Sequence, residues 1–488
     1  MFLHLDGNGP RYRQVYAALR QAILRGELSG GERLPSSRAL ALSTGLSRIT
    51  IQLAFEQLLA EGYVEARVGS GTYVCAGAEP TAFDSASDAA PPRPAAARRA
   101  PRLSALGRRL ATVTPLLSGR GHGRPRPRYD FRHGLPALSD LPQARWRRLL
   151  GRQARRAEVT AYDYGPAAGA LPLREAIAAY LRRARGLACE AAQIVIVNGS
   201  QQGVELCARL LLDPGDTALV EEPGYEGARS ALRAAGAQIA ALRVDADGID
   251  IARASSTARR ARLAYVTPAH QFPTGAVLSL PRRLALLDWA RRRGALIVED
   301  DYDGEFHYGG RPLAPLQGLD RDGRVIYLGT FSKVMFPALR LGYLVLPPPL
   351  ARLFAHAKAL ADGGTSGLEQ HALAQFIAGG SFERHLRRAR VRNRERRGAL
   401  LAAIERHLGD RVQVSGANAG LHVLLRLPAV SQARAELLIR RAAQHGVGVY
   451  SALPYYLRPP RDAALVLGYA SLSPEEIEAG IALLAEVW

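Results

Sequence analysis

The sequence contains very little lysine. Of its 65 lysine and arginine residues only two, Lys333 and Lys358, are lysines. A guanidinium group never gives up its proton and cannot form a Schiff base, so a lysine kept in such a chain is a candidate for chemistry that arginine cannot perform. Lys333 follows an apolar segment, 325–328, and lies among hydroxyl groups, whereas nothing around Lys358 indicates more than a solvated surface residue. For Lys333 a solvated surface position remains the alternative.

Cysteine and long apolar runs are also scarce. The three cysteines, Cys75, Cys189 and Cys207, are odd in number and far apart. They indicate neither a disulfide framework nor a metal site, and we expect a reducing, cytoplasmic location and no bound metal. No run of about 18 uncharged apolar residues is present, and the first residues lack the pattern of a signal peptide. We therefore expect no membrane partner.

Length and charge indicate several domains and a polyanionic partner. The chain has 488 residues, a length that predicts two or three domains. Its net charge of +21 suggests a polyanionic partner. Residues 77–128 carry 10 arginines and 3 acidic residues, a net charge of +7, and are rich in alanine and proline without periodicity. They are predicted to form a flexible basic linker that spans on the order of 40 Å. Its arginines either add salt-sensitive affinity for DNA phosphates or merely solvate a tether.

The segment before this linker has the pattern of a winged helix-turn-helix. Apolar residues in 11–25 and in 48–61 recur at helical spacing, and a glycine turn precedes the second of these segments. Two short strand patterns, 63–67 and 72–74, are joined by a glycine-rich turn. In this fold the second helix of the pair enters the major groove of DNA. A small helical protein-interaction module is the alternative.

The predicted DNA contacts come from the recognition helix, the loop before it and the wing. Short hydroxyl, amide and guanidinium groups can bond phosphates and base edges, and glycines let the wing backbone approach DNA. The predicted DNA-binding residues are Arg33, Ser36, Arg38, Ser47, Arg48, Thr50, Gln52, Gly69 and Gly71.

This segment resembles the DNA-binding domain of GntR-type regulators in residues 33–38, 45–50 and 61–72. The resemblance implies that Arg38, Arg48, Thr50 and Gly69 contact DNA. Many relatives carry arginine where this chain has Gln52, so the base preference at that position is open. The predicted domains are a DNA-binding domain over 1–76, the linker over 77–128 and a larger domain over 129–488.

The larger domain reads as an α/β fold with a mostly parallel sheet that helices cover on both faces. Its short apolar runs alternate with helical patterns; five such runs are 194–197, 217–220, 264–266, 295–298 and 325–328. Polar side chains follow each run, at the strand ends where ligands bind in such sheets. Together they supply what pyridoxal phosphate needs: a carboxylate for the ring nitrogen, an aromatic ring, phosphate donors and a lysine.

From residue 129 onward the chain resembles a class I, fold-type I aminotransferase with a smaller C-terminal α+β subdomain. The resemblance implies that Lys333 forms a Schiff base with pyridoxal phosphate and that Asp300 pairs with the ring nitrogen. Tyr302 would lie by the ring hydroxyl and Tyr225 would stack on the ring. The remaining residues would hold the phosphate, one of them in the partner subunit of a homodimer: Ser200, Gln201, Thr330, Ser332, Arg340 and, from the partner, Tyr164.

Two departures from the aminotransferase pattern bear on function. Those enzymes have an asparagine before Pro-Thr-Gly, where this chain reads His270-Gln271-Phe272. They also place an arginine on a late strand to clamp the substrate carboxylate, and residues 465–470 contain none. Arg458 and Arg461 lie just before and are the possible substitutes. Without a fixed bidentate clamp, efficient general transamination is not expected.

The combination of winged helix, linker and aminotransferase-like domain resembles the MocR, or GabR-like, subfamily of GntR regulators. We predict a regulator that binds operator DNA with paired half-sites and senses pyridoxal phosphate itself, or a small amine or amino acid, through the Lys333 Schiff base. Ligand would favour one arrangement of the two bodies of the dimer and so change operator binding. The alternatives are an active aminotransferase with a DNA anchor and a DNA-binding protein whose body only dimerises.

Overall fold

A computed structural model describes residues 7, 9–67, 69–76, 102–112, 127–156, 163–309 and 314–488. The chain divides into two compact units, Met1–Pro101 and Arg102–Trp488. Most of the predicted linker, residues 77–101 and 113–126, lies outside the described residues. No helix in the described part of the chain combines the length and the apolar character that a membrane crossing needs.

The first unit is a winged helix-turn-helix, as the sequence predicts. Its helices are α1 (Arg11–Leu24), α2 (Ser37–Thr44) and α3 (Arg48–Ala60), and its strands are β1 (Val64–Arg67) and β2 (Gly71–Val74). The strands pair antiparallel, with Val64 opposite Val74. The apolar faces of the helices meet in one core, in which Leu19 and Leu58 are fully buried. Burial of these faces supplies the stability that short isolated helices lack.

The second unit opens with a short helix inside the predicted linker. Helix α4 (Ala105–Ala111) is capped by the Ser104 side chain. Nε of Arg109 donates to the carbonyl oxygen of Ala234 at 2.8 Å. This part of the predicted flexible linker is therefore helical. Leu103, Leu106 and Leu110 recur at helical spacing, but the alanine-, proline- and arginine-rich composition around them favoured a linker, and none of the helix residues is buried.

The central part of the second unit holds an eight-stranded sheet with helices, preceded by one short strand that is not part of this sheet. Its elements in chain order are β3 (Tyr129–Asp130), α5 (Gln143–Arg156), α6 (Leu171–Arg185), β4 (Ile194–Val197), α7 (Ser200–Leu211), β5 (Thr217–Glu222), α8 (Glu226–Ala235), β6 (Gln238–Asp245), β7 (Gly248–Ile249), α9 (Ser256–Arg259), β8 (Leu263–Val266), α10 (Leu280–Arg293), β9 (Leu296–Asp301), α11 (Leu316–Leu319), β10 (Val325–Thr330), β11 (Gly342–Val345), α12 (Pro348–Asp362) and α13 (Gly367–Ala378).

The C-terminal part forms a smaller α+β subdomain. Its elements are α14 (Ser381–His407), β12 (Gln413–Ser415), β13 (His422–Leu427), α15 (Gln432–Gln444), β14 (Val447–Gly448), β15 (Tyr450–Ser451), β16 (Ala463–Gly468) and α16 (Pro474–Glu486). Strands β12, β13, β16 and β15 form an antiparallel sheet in that order, and β14 pairs with β3. Helices α14 and α16 pack together over its core.

The strand order of the large sheet is β4-β11-β10-β9-β8-β5-β6-β7. Strands β6, β5, β8, β9 and β10 are parallel, and β11 runs antiparallel between β10 and β4. Strands such as β4, β8 and β10 are buried along their whole length because helices cover both faces. The predicted fold is confirmed.

This topology brings the ends of several strands to one edge. In the β10–β11 hairpin Thr330 lies opposite Gly342, and Gly342 lies opposite Val197 at the end of β4. The turn that carries Lys333 and Arg340 therefore faces the start of α7. Strand β9 ends beside β10, with Asp301 opposite Gly329.

Candidate functional site

Lys333 lies in the turn after β10, at the carboxyl edge of the sheet. The amide of Phe331 donates to the carbonyl oxygen of Leu341, and the amide of Met335 donates to Phe331, which fixes the turn. The Lys333 side chain is half-buried and its Nζ donates to the carbonyl oxygen of Gly134 at 2.8 Å. Gly134 could not be predicted as this partner, because a backbone acceptor leaves no pattern in the sequence.

Asp300 is a buried carboxylate near Lys333. Its Oδ2 accepts a hydrogen bond from the Tyr265 hydroxyl at 2.6 Å. Within the part of the chain that the structure describes, its Oδ1 is buried and has no hydrogen-bond partner. Burial raises the pKa of Asp300 to about 7, against the opposing effects of the Tyr265 hydrogen bond and the Lys333 charge. A buried oxygen without a donor fits a protonated ring nitrogen, the partner that the sequence predicts.

Tyr302 belongs to a buried cluster with histidines. Its hydroxyl donates to the backbone carbonyl of His270 at 3.0 Å, and Nδ1 of His270 lies 3.1 Å from that hydroxyl and 3.0 Å from Oδ2 of Asp303. The ring centroid of His422 is 4.7 Å from that of His270. His270, Asp303 and His422 offer ligand atoms within 4.8 Å of one another. A metal ion would have to displace the contacts that His270 already makes with Tyr302 and Asp303.

Phe272 occupies the place of the asparagine that precedes Pro-Thr-Gly in aminotransferases. Its ring centroid lies 6.1 Å from that of Tyr225 and 6.1 Å from that of Tyr302, both in edge contacts. It also contacts the rings of Tyr455, at 4.7 Å, and His133, at 5.6 Å. An aromatic cluster therefore replaces the polar amide at this position. Tyr455 and His133 come from segments distant along the chain, so they were not predicted from the sequence.

Arg340 lies over the start of α7. A Cβ atom added at Gly199, whose φ is +83°, would lie 2.9 Å from Nη2 of Arg340. The same nitrogen donates to the carbonyl oxygen of Asn198 at 2.7 Å. Helix α7 begins at Ser200, so its free amide groups and the guanidinium meet at one point. This arrangement suits a phosphate group.

The other predicted phosphate residues lie around this point. The Thr330 hydroxyl accepts from the amide of Ser332 at 3.2 Å. Gln201 accepts from the Tyr225 hydroxyl at 3.2 Å and donates to the carbonyl oxygen of Gly227 at 2.9 Å. These bonds link the predicted ring-stacking tyrosine to the start of α7. Tyr164 is different: its side chain is 90% exposed, and its predicted reach into a partner subunit stays a prediction.

Lys358 is not solvated, contrary to the sequence interpretation. It is fully buried, and its Nζ donates to both carboxylate oxygens of Asp362, at 2.6 and 2.7 Å, and to the Thr365 hydroxyl at 2.9 Å. Asp362 lies four residues along α12, one helical turn away. A buried ammonium is tolerated because its N–H groups are satisfied by these oxygens.

The possible substitutes for the missing carboxylate-binding arginine are exposed side chains. Arg458 and Arg461 are both exposed. The backbone amide of Arg458 donates to the carboxylate of Glu222 at 2.9 Å, as does that of Leu457 at 2.8 Å. The loop is thus attached to the end of β5 through its backbone.

In the first unit the predicted recognition helix is capped by the Ser47 side chain. The Ser47 hydroxyl accepts from the amide of Thr50 at 3.2 Å and lies 2.8 Å from its hydroxyl. Arg48 and Gln52 are exposed at the start of α3. Ile49 is 69% exposed beside them. Its position in the first turn of the recognition helix could have marked Ile49 as a surface residue. The sequence pattern did not indicate this, because apolar residues usually belong to the core.

The other predicted DNA-binding residues lie on the wing and on α2. A Cβ atom at Gly71 would lie 2.9 Å from Nε of Arg33, so the two are neighbours. Ser36 caps α2 by accepting from the amide of Ala39 at 3.2 Å. Arg38 and Gly69 are exposed, and the φ of Gly69 is +74°. The Ser36 and Ser47 hydroxyls are therefore used in capping, whereas the arginine side chains are open to a ligand.

Two family descriptions match the chain. "Bacterial regulatory proteins, gntR family" matches residues 11–74, and "Aminotransferase class I and II" matches residues 138–484. Among solved structures, the kynurenine aminotransferase of Pyrococcus horikoshii has 29% identity and a TM-score of 0.68, over 74% of this chain and 90% of that one. The multiple substrate aminotransferase of Thermococcus profundus has 26% identity and a TM-score of 0.71, over 79% and 96%.

Curated relatives match along nearly the whole length. The "probable rhizopine catabolism regulatory protein MocR" of Rhizobium meliloti is 40% identical over 99% of this chain and 94% of its own. The "HTH-type transcriptional regulator TauR" of Rhodobacter capsulatus is 33% identical over 99% and 98%. The "HTH-type pyridoxine biosynthesis transcriptional regulator PdxR" of Corynebacterium glutamicum is 32% identical over 94% and 91%.

Proposed function

The chain belongs to the MocR-type subfamily of GntR regulators, which joins a winged helix-turn-helix to an aminotransferase-like domain, and on this premise we propose that it regulates transcription by binding pyridoxal phosphate on Lys333. The first unit binds operator DNA. The second unit senses the cofactor or a small amine. The protein works as a cytoplasmic homodimer.

The observation that carries the proposal is Oδ1 of Asp300, which has no hydrogen-bond partner among the residues that the structure describes. It is buried near Lys333, at the sheet edge where Arg340 covers the start of α7. When bound, pyridoxal phosphate supplies an aldehyde that captures amines and a ring that withdraws electrons. Asp300 would keep the ring nitrogen protonated, and Lys333 is the amine that holds the cofactor covalently.

The phosphate would be held by charge and by backbone amides. Arg340 and the first amides of α7 converge beside Gly199, with the Ser200, Thr330 and Ser332 hydroxyls close by in the fold. Tyr225 and Tyr302 bracket Phe272 and would flank the ring. Phe272 places an aromatic ring between these tyrosines, where an aminotransferase has an amide.

The effector is pyridoxal phosphate itself or a small amine or amino acid. The names of the relatives point to different ligands, because one refers to pyridoxine biosynthesis and another to rhizopine catabolism. The exposed positions of Arg458 and Arg461 leave no fixed clamp for a carboxylate in these segments. An effector whose affinity does not depend on a carboxylate therefore suits this site best.

Regulation requires that the ligand bind the two arrangements of the dimer with different affinities. A ligand changes the populations of two dimer arrangements only as far as it binds one more tightly than the other. The 90% exposed Tyr164 supports a dimer in which this side chain completes the partner's phosphate site. Two winged helices in such a dimer would read paired half-sites, and their reach would depend on the arrangement of the two bodies.

A turnover aminotransferase is the second candidate function. It is supported by the match to aminotransferases over residues 138–484. It is opposed by the full-length match to regulators and by the absence of arginine from residues 465–470. A single half-reaction would be compatible with regulation, whereas sustained turnover would not.

The test is a visible absorption spectrum of the purified full chain, titrated with amines and then with keto acids, alongside operator binding. We expect a yellow protein whose band is perturbed by certain amines that also change DNA affinity, without repeated keto-acid turnover. Lys333→Arg is the control, because it keeps the charge but cannot hold the cofactor. A colourless wild-type protein in excess cofactor, or continuous turnover, would refute the proposal.

A further inference from the structure

The second lysine of the chain is bonded to the loop that starts the predicted phosphate site. Lys358 is fully buried and its Nζ contacts Asp362 and the Thr365 hydroxyl within 2.9 Å. The Thr365 hydroxyl in turn donates to Oδ1 of Asn198 at 3.0 Å. A continuous set of hydrogen bonds therefore leads from α12 to the residue before Gly199.

Asp362 makes the same connection by a second route. Its Oδ2 accepts from Nδ2 of Asn198 and from Nε2 of Gln202, both at 2.7 Å. The amide of Gly364 donates to its Oδ1 at 3.0 Å. Both ends of the Asn198 side-chain amide are thus held, one by Thr365 and one by Asp362, and both of these partners are bonded to Lys358.

The backbone of Asn198 is held as well. Its amide donates to Oε1 of Gln202 at 2.8 Å, and its carbonyl oxygen accepts from Arg340 at 2.7 Å. Asn198 is therefore held from one side by the Lys358 network and from the other by the predicted phosphate arginine. The next residue, Gly199, turns the chain with a φ of +83° into the first amides of α7.

We propose that Lys358 is a positioning residue for phosphate binding: through Asp362 and Thr365 it holds Asn198, and so aligns the start of α7 and the guanidinium of Arg340. The ligand class is an aromatic aldehyde that carries a phosphate monoester. The inference rests on the proposed function, since it assigns a residue to the same site. Lys358 touches no reacting atom and acts only through Asn198.

An ion pair that merely stabilised the fold would not need Asn198 and Gln202 as partners. The carboxylate of Asp362, the more exposed member of the pair, is shared with two residues of the phosphate loop. Removing the ammonium leaves that carboxylate without its charge partner. Asp362 then no longer holds Asn198 and Gln202 in fixed positions. The expected damage is therefore greatest for ligands that use the phosphate.

The experiment compares pyridoxal phosphate with pyridoxal, which lacks the phosphate, as ligands of the cofactor-free full chain. In Lys358→Met we expect affinity for pyridoxal phosphate to fall about 10- to 100-fold, the effect of disturbing a charge-assisted hydrogen bond. Affinity for pyridoxal should change by less than about threefold. The ratio of the two affinities is the readout, and a purely structural role would leave that ratio unchanged.

Two further variants keep the test decisive. Thr365→Val removes one hydroxyl and is the milder change if Lys358→Met does not fold; it should lower the affinity ratio in the same direction. Arg282→Met is the matched control, because Arg282 pairs with Asp245 near the opposite edge of the sheet. It should leave the ratio at the wild-type value.

The outcomes separate the two proposals. A wild-type chain that binds neither ligand through Lys333 overturns the proposed function. A wild-type chain that binds both, with variants that lose both equally or neither, overturns the positioning role alone. A selective loss for the phosphorylated ligand in Lys358→Met or Thr365→Val, absent from Arg282→Met, supports it.

Discussion

The two lysines of this chain lie in opposite surroundings. Lys333 is half-buried in a hairpin turn, and its Nζ donates to a backbone carbonyl of Gly134. Lys358 is fully buried, with its Nζ against a carboxylate and a hydroxyl. The Lys358 amine is enclosed and its N–H groups are already bonded, so a ligand has no access to it. The two lysines of this lysine-poor chain therefore differ in what they can do: only the Lys333 amine is open to a ligand.

The carboxylates near the two lysines, Asp300 and Asp362, also differ in their hydrogen bonds and in the direction of their pKa shifts. Burial raises the pKa of Asp300 to about 7, and one of its oxygens has no partner among the described residues. The pKa of Asp362 is lowered: burial acts to raise it, but hydrogen bonds from Gln202 and Lys358 outweigh that effect. The Lys333 region is suited to a ligand, whereas the Lys358 region is already satisfied.

Removing the amine of Lys333 should give the largest effect. In Lys333→Ala the visible band of the lysine-bound cofactor should be lost completely, while the free energy of unfolding changes by less than about 1 kcal/mol because the side chain is half-buried. Absorption spectroscopy and denaturant unfolding measure the two quantities. Non-specific DNA binding should persist, and a variant that retains the band would remove Lys333 from the site.

Removing the ammonium of Lys358 should reverse this pattern. Lys358→Ala removes a buried ammonium from a partly exposed carboxylate and should destabilise the second unit by about 1.5–3 kcal/mol, the usual worth of hydrogen bonds to charged groups. Tryptophan fluorescence reports this unit, since Trp146, Trp289 and Trp488 all belong to it. The double variant Lys358→Met, Asp362→Leu should recover part of the loss. Equal stability of Lys333→Ala and Lys358→Ala would end the distinction between the two lysines.

The carboxylates should give opposite pH dependences. Asp300 holds its proton up to about pH 7 in the cofactor-free fold, whereas the unfolded chain releases it near pH 4. The free energy of unfolding should therefore fall between about pH 4 and 7, by up to about 4 kcal/mol from this residue. Asp300→Asn should remove that part of the fall, and an unchanged profile would contradict it.

The contribution of Asp362 has the other sign. Its lowered pKa means that the stability it supplies is present above about pH 4 and is lost as the pH falls through the folded pKa. Asp362→Asn should therefore destabilise the protein at neutral pH and make little difference in acid. Unfolding curves at both pH values measure this, and a loss that is independent of pH would show that shape, not charge, matters.

The smallest effect belongs to the Thr365 hydroxyl. It joins Lys358 to Asn198 by hydrogen bonds of 2.9 and 3.0 Å. Thr365→Val should cost about 1 kcal/mol of stability, the usual worth of such bonds. Thr365→Ser keeps the hydroxyl and is the control. A loss equal to that of Lys358→Ala would mean that the hydroxyl, and not the ion pair, holds the network.

The sequence predicted most features that depend on residues close together along the chain. Apart from Tyr164 and Arg340, the residues assigned to the cofactor closely follow apolar runs, so the position of Asp300 or Lys333 at a strand end could be predicted directly. Tyr265 could not be found in this way, because it lies inside an apolar strand and turns toward Asp300 only through the pairing of β8 with β9. Contacts between segments distant in the chain leave no local pattern.

The error at Lys358 has a similar cause. The spacing of Lys358 and Asp362 is visible in the sequence and is equally common on solvated helices. The burial of Lys358 depends on contacts at the C-terminal turn of α12, where Asp362 is bonded to Asn198 and Gln202, which are more than 150 residues away along the chain. Helix α4 was missed for a different reason, since it buries no residue of its own and lies in a segment whose composition favours a linker.

The burial of Lys358 has a practical consequence. Reagents that acylate or reductively alkylate side-chain amines can reach Lys333 but not Lys358, because one amine is partly open and the other is enclosed. The chain has no third lysine to compete. A dye or isotope label could therefore be placed on one side-chain amine, beside the proposed cofactor site, without engineering the protein, and bound cofactor would protect that position from the reagent.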